Sequence, residues 1–201
     1  MAEAVRAGWP IEAVYAEGDV PGSIVTRVGV LARVMDVETA RPVLAVAERR
    51  VLPAVPVDAT FVVVADRIAD PGNLGTILRT AEASGAHAVV CTPGTVDAFS
   101  PKVVRSSAGA IFHVPVVECV LADVGLRRVG TSSHYGVPFR EADLSRPLAL
   151  VFGNEAHGLP DDAPVDTWVK IPHAGRSESL NVAMAAAILC FAVEQLPSGA
   201  S

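Results

Sequence analysis

Thr60–Gly85 reads TFVVVADRIADPGNLGTILRTAEASG. It opens with a short β-branched run, the pattern of a strand buried on both faces. It then places Leu74, Ile77, Leu78 and Ala81 at i, i+3, i+4 and i+7, one face of a helix, and Gly85 suits the stop. Asp70-Pro71-Gly72 marks the turn between them, with Asn73 as the expected helix cap. A strand followed at once by a helix sets an α/β pattern, and the pattern continues downstream. HAVVCT, FHVPVV, RRVGTS, LALVFG and TWVKIP read as further strands. SPKVVRSSAGA reads as a helix with Ser100 as N-cap and Pro101 at its first position. Such alternation implies a parallel sheet with helices on its faces.

Upstream, RRVLPAVPVDAT (Arg49–Thr60) carries two prolines and breaks the periodicity. A linker is expected at 51–58. It separates a small, shortened α+β domain over 1–50 from a main domain over 59–196, with a flexible tail at 197–201. The small domain reads as a helix over Ala2–Ala7 and strands near Ala13–Tyr15, Val30–Val34 and Val43–Ala47.

Of the 201 residues, 51% are apolar and 19% charged, which excludes a disordered chain. Val182–Val193 is too short to span a bilayer, and the N-terminus lacks a signal-peptide pattern. No membrane association is therefore expected. Cys91, Cys119 and Cys190 form no CxxC and read as buried thiols of a reducing cytoplasm. The histidines show no metal-ligand spacing. A net charge of −6 and a pI near 5.3 argue against a bulk nucleic-acid binder. Net charge is not local charge, however. Arg67, Arg79, Lys102, Arg105, Arg127, Arg128, Arg140 and Arg176 could converge on one face.

Three strand ends carry small and polar residues: GTSSHYG, FGNEAHGLP and IPHAGRSESLN. Ligands of parallel sheets bind at carboxyl strand ends, so these loops suggest one shared pocket. Singly, each signal has a plain structural reading. Gly153-Asn154-Glu155 fits a turn before a helix N-terminus. Arg79, in line with Thr76 and Glu82, fits a solvent-facing helix face, or an arginine held to grip a phosphate. In GRSESLNVAMAAAILCFAV (Gly175–Val193), Ser179 can cap the final helix and Asn181 can donate and accept in the same loop. That helix is apolar nearly all round. The sheet can cover one side and a second subunit the other.

Taken in order, the Asn73…Arg79 segment, the GNE segment and the Ile-Pro…Gly…Ser-Leu-Asn segment resemble the motifs of the SpoU (TrmH) family of RNA 2′-O-ribose methyltransferases, over Phe61–Glu194. Ala156 stands where the family often has glycine. The resemblance implies a Rossmann-like sheet with a C-terminal deep trefoil knot, the SPOUT architecture. It implies S-adenosylmethionine as cofactor, no metal, and a homodimer joined through the main domain. It places Arg79 at the reactive centre, with Asn73, Glu155, Ser179 and Asn181 completing the catalytic set. Thr131, Gly153, Ile171 and Leu180 are the expected cofactor contacts, and Arg105 and Arg140 the expected RNA contacts. The N-terminal fifty residues look like a shortened RNA-holding domain. The expected substrate is structured RNA, ribosomal in preference to transfer RNA. The alternative is a non-catalytic RNA-binding or assembly protein that keeps the fold. A NAD-dependent enzyme is disfavoured, because DPGNLG stands where GxGxxG would be needed.

Overall fold

The computed structural model describes residues 1–35, 42–176 and 179–195; the expected tail at 197–201 lies outside the described residues. The chain divides into two compact units, Met1–Arg50 and Val51–Ser201.

In the first unit, α1 (Ala2–Arg6) precedes β1 (Ile11–Ala16). β1 lies between a parallel β2 (Ile24–Val25) and an antiparallel β3 (Val43–Ala47). The expected strand at Val30–Val34 is instead a helix, α2 (Val30–Met35). Gly29, at φ +83°, turns the chain into it, and a Glu17 carboxylate oxygen accepts the Leu31 N–H at 3.0 Å. That contact satisfies one of the amides every helix start leaves open. The valines suggested a strand, yet Val30 and Val34 face solvent and only Leu31 of this segment is buried.

In the second unit, seven strands form one sheet with every pairing parallel. They are β4 (Phe61–Ala65), β5 (Ala88–Cys91), β6 (Val116–Glu118), β7 (Arg128–Thr131), β8 (Val137–Pro138), β9 (Leu148–Phe152) and β10 (Thr167–Lys170). The order is β6-β5-β4-β9-β7-β10-β8. The architecture is thus an α/β, Rossmann-like parallel sheet. β8 was not anticipated. The strand expected from Phe112 begins only at Val116, because Ala110–Phe112 form a 3-10 turn. Within the expected linker, Leu52 bridges Val117 at the sheet edge.

Every residue of β4 and β9 is buried. Phe61, Val63 and Ala65 point to one face, where they join Leu74, Ile77 and Leu78 of α3 (Pro71–Ala83), Val103 of α4 (Pro101–Ser106), and Ala186, Leu189 and Val193 of α5 (Val182–Glu194). Each fully buried Leu, Ile or Phe side chain stabilises by about 1.5–3 kcal/mol. Val62 and Val64 point the other way, into a second cluster with Leu121, Val124, Val151 and Leu159. All three helices therefore feed one core. The opposite face is covered by loop and 3-10 segments rather than by a helix layer.

The starts of all three helices differ from expectation in how they are capped. Asp70, not Asn73, is the N-cap of α3: its Oδ1 accepts the Asn73 N–H at 2.8 Å. Asn181, not Ser179, caps α5, accepting from Ala183 N–H at 2.9 Å and Met184 N–H at 3.3 Å. Ser100 is the N-cap of α4, but its side chain makes no capping bond. Gly75 lets α3 pack closely on α4: a Cβ there would lie 1.9 Å from Ser106 Oγ, which donates to Pro71 O at 2.9 Å.

Candidate active site

Because all seven strands run parallel, the chain leaves the sheet on one edge after β4, β7, β9 and β10. Strand order reverses at the β4–β9 pair, where such folds place their ligands. The loops at these ends enclose a cavity of about 550 Å³, within the range of nucleotide-sized ligand sites. Its floor and walls include Phe152, Val169, Ile171, Leu180 and Leu189. Polar groups enter from Asn73, Ser132, Glu155, Ser179 and Asn181.

One chain of hydrogen bonds joins the three sequence motifs. The Glu155 carboxylate accepts the Ala69 N–H on Oε2, and the Asp70 N–H and Asn73 Nδ2 on Oε1, each at 3.0 Å. Asn73 Oδ1 in turn accepts Asn181 Nδ2 at 3.0 Å, and Asn181 Oδ1 holds the first turn of α5. Desolvation pushes the Glu155 carboxyl up. The donors from Ala69, Asn73 and Asp70 together outweigh it and hold the group below the ordinary carboxylate value. Glu155 is thus an anion that fastens the turn before α3 to the loop after β9. Its partners are amides, and no ion pair joins it to Arg79.

Thr131 lines the cavity, but its hydroxyl is already committed, donating to Val151 O at 2.9 Å. Gly153 also lines it, for a different reason than closeness to a ligand. A Cβ there would lie 2.4 Å from the Gly158 carbonyl carbon, so the GNE loop folds back onto its own strand. Asn154 shapes that loop: its Oδ1 accepts the Ala156 and His157 N–H groups at 3.0 and 3.2 Å, and its Nδ2 donates to Arg67 O at 2.9 Å. Tyr135 donates to Asp161 at 3.0 Å and meets the Trp168 ring edge-on, tying two rim loops together. His134, His157 and His173 are on the lining. The Nε2 of His173 is buried with no hydrogen-bond partner among the described residues, the kind of atom that a polar ligand satisfies.

The cavity therefore gathers Asn73, Thr131, Gly153, Glu155, Ile171, Ser179, Leu180 and Asn181. Arg79, Arg105 and Arg140 are not on its lining. Arg79 sits on the solvent face of α3, six residues and about 9 Å along the axis from Asn73. Neither it nor Arg105, in the last turn of α4, has a hydrogen-bond or ion-pair partner among the described residues. Arg140 stacks over Phe139 at 5.5 Å. Several other arginines are tied up locally: Arg127 to Asp143 and Ser145 carbonyls, and Arg128 to Asp166. Among the described residues, no group of three or more His, Cys, Asp or Glu side chains could hold a metal ion. No described helix is long and apolar enough to cross a membrane. Cys91 and Cys190 are buried, and desolvation pushes both thiols up to about 12. Sequence reasoning missed Tyr135, Asp161 and the role of Asn154. Only the Asn-x-x-x-Gly pattern of the GNE loop hinted at the last.

The family model described as "SpoU rRNA Methylase family" matches residues 60–191. The chain is 43% identical over 144 residues to the 23S rRNA (guanosine(2553)-2′-O)-methyltransferase RlmP of Bacillus subtilis, covering 66% of this chain and 57% of that protein. It is 39% identical over 165 residues to the 23S rRNA (uridine(2479)-2′-O)-methyltransferase of Streptomyces viridochromogenes, covering 74% and 58%. The matched region thus spans less than two thirds of these relatives' own length. Among solved structures, an AdoMet-bound rRNA methyltransferase from Sinorhizobium meliloti superposes with a TM-score of 0.84 at 30% identity, over 96% of this chain and 83% of that one. The SpoU methyltransferase AviRb from S. viridochromogenes, in complex with the cofactor AdoMet, gives 0.83 at 30% identity, over 96% and 86%.

Proposed function

The chain belongs to the SpoU rRNA methylase family, and on that premise we propose that it moves a methyl group from S-adenosylmethionine to a ribose 2′-hydroxyl of ribosomal RNA. The observation that carries the reading is the Glu155–Asn73–Asn181 chain, which brings all three motifs to the rim of one nucleotide-sized cavity. The named relatives acting on 23S rRNA favour ribosomal over transfer RNA.

The lining fits the cofactor. Ile171, Leu180 and Leu189 offer apolar surface to an adenine, and Ser179 and the His173 nitrogen left without a partner among the described residues offer polar partners. When bound, the cofactor supplies a methyl group on a sulfonium, which leaves as a neutral thioether. The protein's part is alignment, and alignment alone can contribute several kcal/mol. Glu155 and Asn73 fix the turn at the mouth of the cavity, and Asn181 fixes the start of α5. We assign Arg79 the grip on a phosphate next to the reacting ribose, and with it stabilisation of the developing 2′-alkoxide. A guanidinium stays protonated, so the 2′-proton goes to that phosphate or to water rather than to Arg79. Because Arg79 stands outside the cavity, the RNA or a second subunit has to bridge the two. Arg105 and Arg140 are assigned to RNA contact, and the shortened N-terminal unit to holding RNA.

A homodimer belongs to the same reading. Met184, Ile188 and Phe191 form an exposed apolar stripe at i, i+4 and i+7 along α5. A second copy of α5 covers it. The deep trefoil knot is likewise proposed, for the chain that runs from β9 into α5, and so is a cytoplasmic location.

The reading is tested by incubating the protein with S-adenosylmethionine and unmodified ribosomal RNA and following S-adenosylhomocysteine. Turnover that Arg79→Lys abolishes supports a bidentate grip, since lysine keeps the charge and loses the planar fork. Cofactor and RNA binding without turnover would favour the alternative, a non-catalytic RNA-binding or assembly protein.

A further inference from the structure

Arg67 follows the end of β4 with φ +55°, a left-handed conformation that glycine adopts freely and arginine does not. Ala108, another described non-glycine residue with positive φ, ends a helix, a usual place for that conformation. Arg67 ends no helix, so a glycine there would serve the backbone better. The side chain therefore has to account for the residue's presence.

The residue is fastened through both its backbone and its side chain. Its backbone N–H donates to Thr92 Oγ1 at 3.2 Å, and its backbone carbonyl accepts Asn154 Nδ2 at 2.9 Å. Its Nε and one Nη both reach Asp66 Oδ2 at 2.9 Å. The stem runs over Gly94, where a Cβ would lie 3.2 Å from Arg67 Cγ. Asp66 is buried, and its other oxygen accepts the Thr92 hydroxyl at 2.8 Å. The acid beneath is thus fully engaged, and the charge turned outward is the guanidinium, with 45% of the side chain exposed. The other Nη has no partner among the described residues. Through Asn154, the residue is fastened directly to the loop that lines the cavity.

We propose that Arg67 is a further substrate-positioning residue, a guanidinium oriented in advance of binding that grips a phosphate of the RNA backbone beside the cavity. Strained backbone maintained by surrounding contacts is a recognised mark of such sites, and a fixed planar fork loses little freedom on binding a phosphate. The assignment rests on the RNA-methylation reading.

The test is the salt dependence of affinity for an in vitro 23S ribosomal RNA transcript, measured for the wild type, Arg67→Gly and the double variant Asp66→Asn/Arg67→Gly. Glycine suits the left-handed backbone. The double variant also removes the acid that arginine masks, and it decides the matter if the single variant folds poorly. Affinity for S-adenosylmethionine serves as the control for an intact fold and stays within twofold of wild type. Both variants are expected to bind RNA roughly three- to tenfold more weakly at low salt. Both should show a slope of log affinity against log salt shallower by about 0.7–0.9, one phosphate contact fewer. A wild-type slope in both variants overturns the Arg67 assignment and leaves the parent reading intact. A wild-type protein with no salt-dependent RNA affinity overturns both.

Discussion

Replacing Glu155 by glutamine probes the junction on which the site is built. The carboxylate accepts from Ala69 N–H, Asp70 N–H and Asn73 Nδ2. Glutamine keeps one acceptor oxygen, which can still serve Asp70 and Asn73. Its NH2 then faces the Ala69 N–H, donor against donor. A hydrogen bond to a charged group is worth about 1.5–3 kcal/mol. Glu155 is exposed, so water competes, and the loss discounts to about 1–2 kcal/mol. For a unit of this size that lowers Tm by about 2–8 °C. The effect carries a pH signature. The folded-state pKa lies below the ordinary glutamate value of 4.5, so the stabilisation is complete above that value and is lost as pH falls through the folded pKa. The Tm gap between wild type and Glu155→Gln is therefore constant from neutral pH down to roughly pH 5.5 and closes below about pH 4.5. Thermal melting followed by circular dichroism from pH 3 to 8 reads both features. A variant that melts within 1 °C of wild type at pH 7, or a gap that widens in acid, would refute the argument.

Other perturbations separate neighbouring residues by what they touch. Asn181→Ala removes the α5 cap and the link to Asn73, and should cost about 1–2 kcal/mol in denaturant unfolding; Ser179→Ala should cost less than about 0.5. Gly153→Ala forces a Cβ to within 2.4 Å of the Gly158 carbonyl carbon and should abolish cofactor binding by calorimetry, whereas Gly175→Ala, with none of the described residues within 4 Å of the added Cβ, should leave it unchanged. Met184→Asp places a charge in the exposed α5 stripe and should convert a dimer to monomer in sedimentation velocity; a wild-type monomer would remove α5 as the interface.

The parts of the fold that read correctly are those where one signal dominates. β4, β5 and β9 are unbroken apolar runs because both faces are covered, and α3 shows its leucines at helical spacing because one stripe meets the sheet. α2 misled because valines favour strands locally, while Glu17, far away in sequence, satisfies the helix start. β8, two residues long, has no periodicity to read. At the site, motif order located the cavity, yet the bonding inside it stayed hidden. Asp70 and Asn73 are both good caps, as are Ser179 and Asn181. The choice is made by contacts such as Asn181 to Asn73 between loops far apart in the chain. Arg67 was legible only as one of several basic residues, for a similar reason: its left-handed backbone carries no glycine to announce it.

The central claim is that the cavity serves methylation of a ribose 2′-oxygen. The most direct measurement supplies S-adenosylmethionine labelled in its methyl group, with unmodified ribosomal and transfer RNA in separate reactions, and digests the RNA to nucleosides. The account predicts label in a single 2′-O-methylnucleoside from ribosomal RNA, and none with Arg79→Ala. Label on a base, or undiminished transfer by Arg79→Ala, would contradict it.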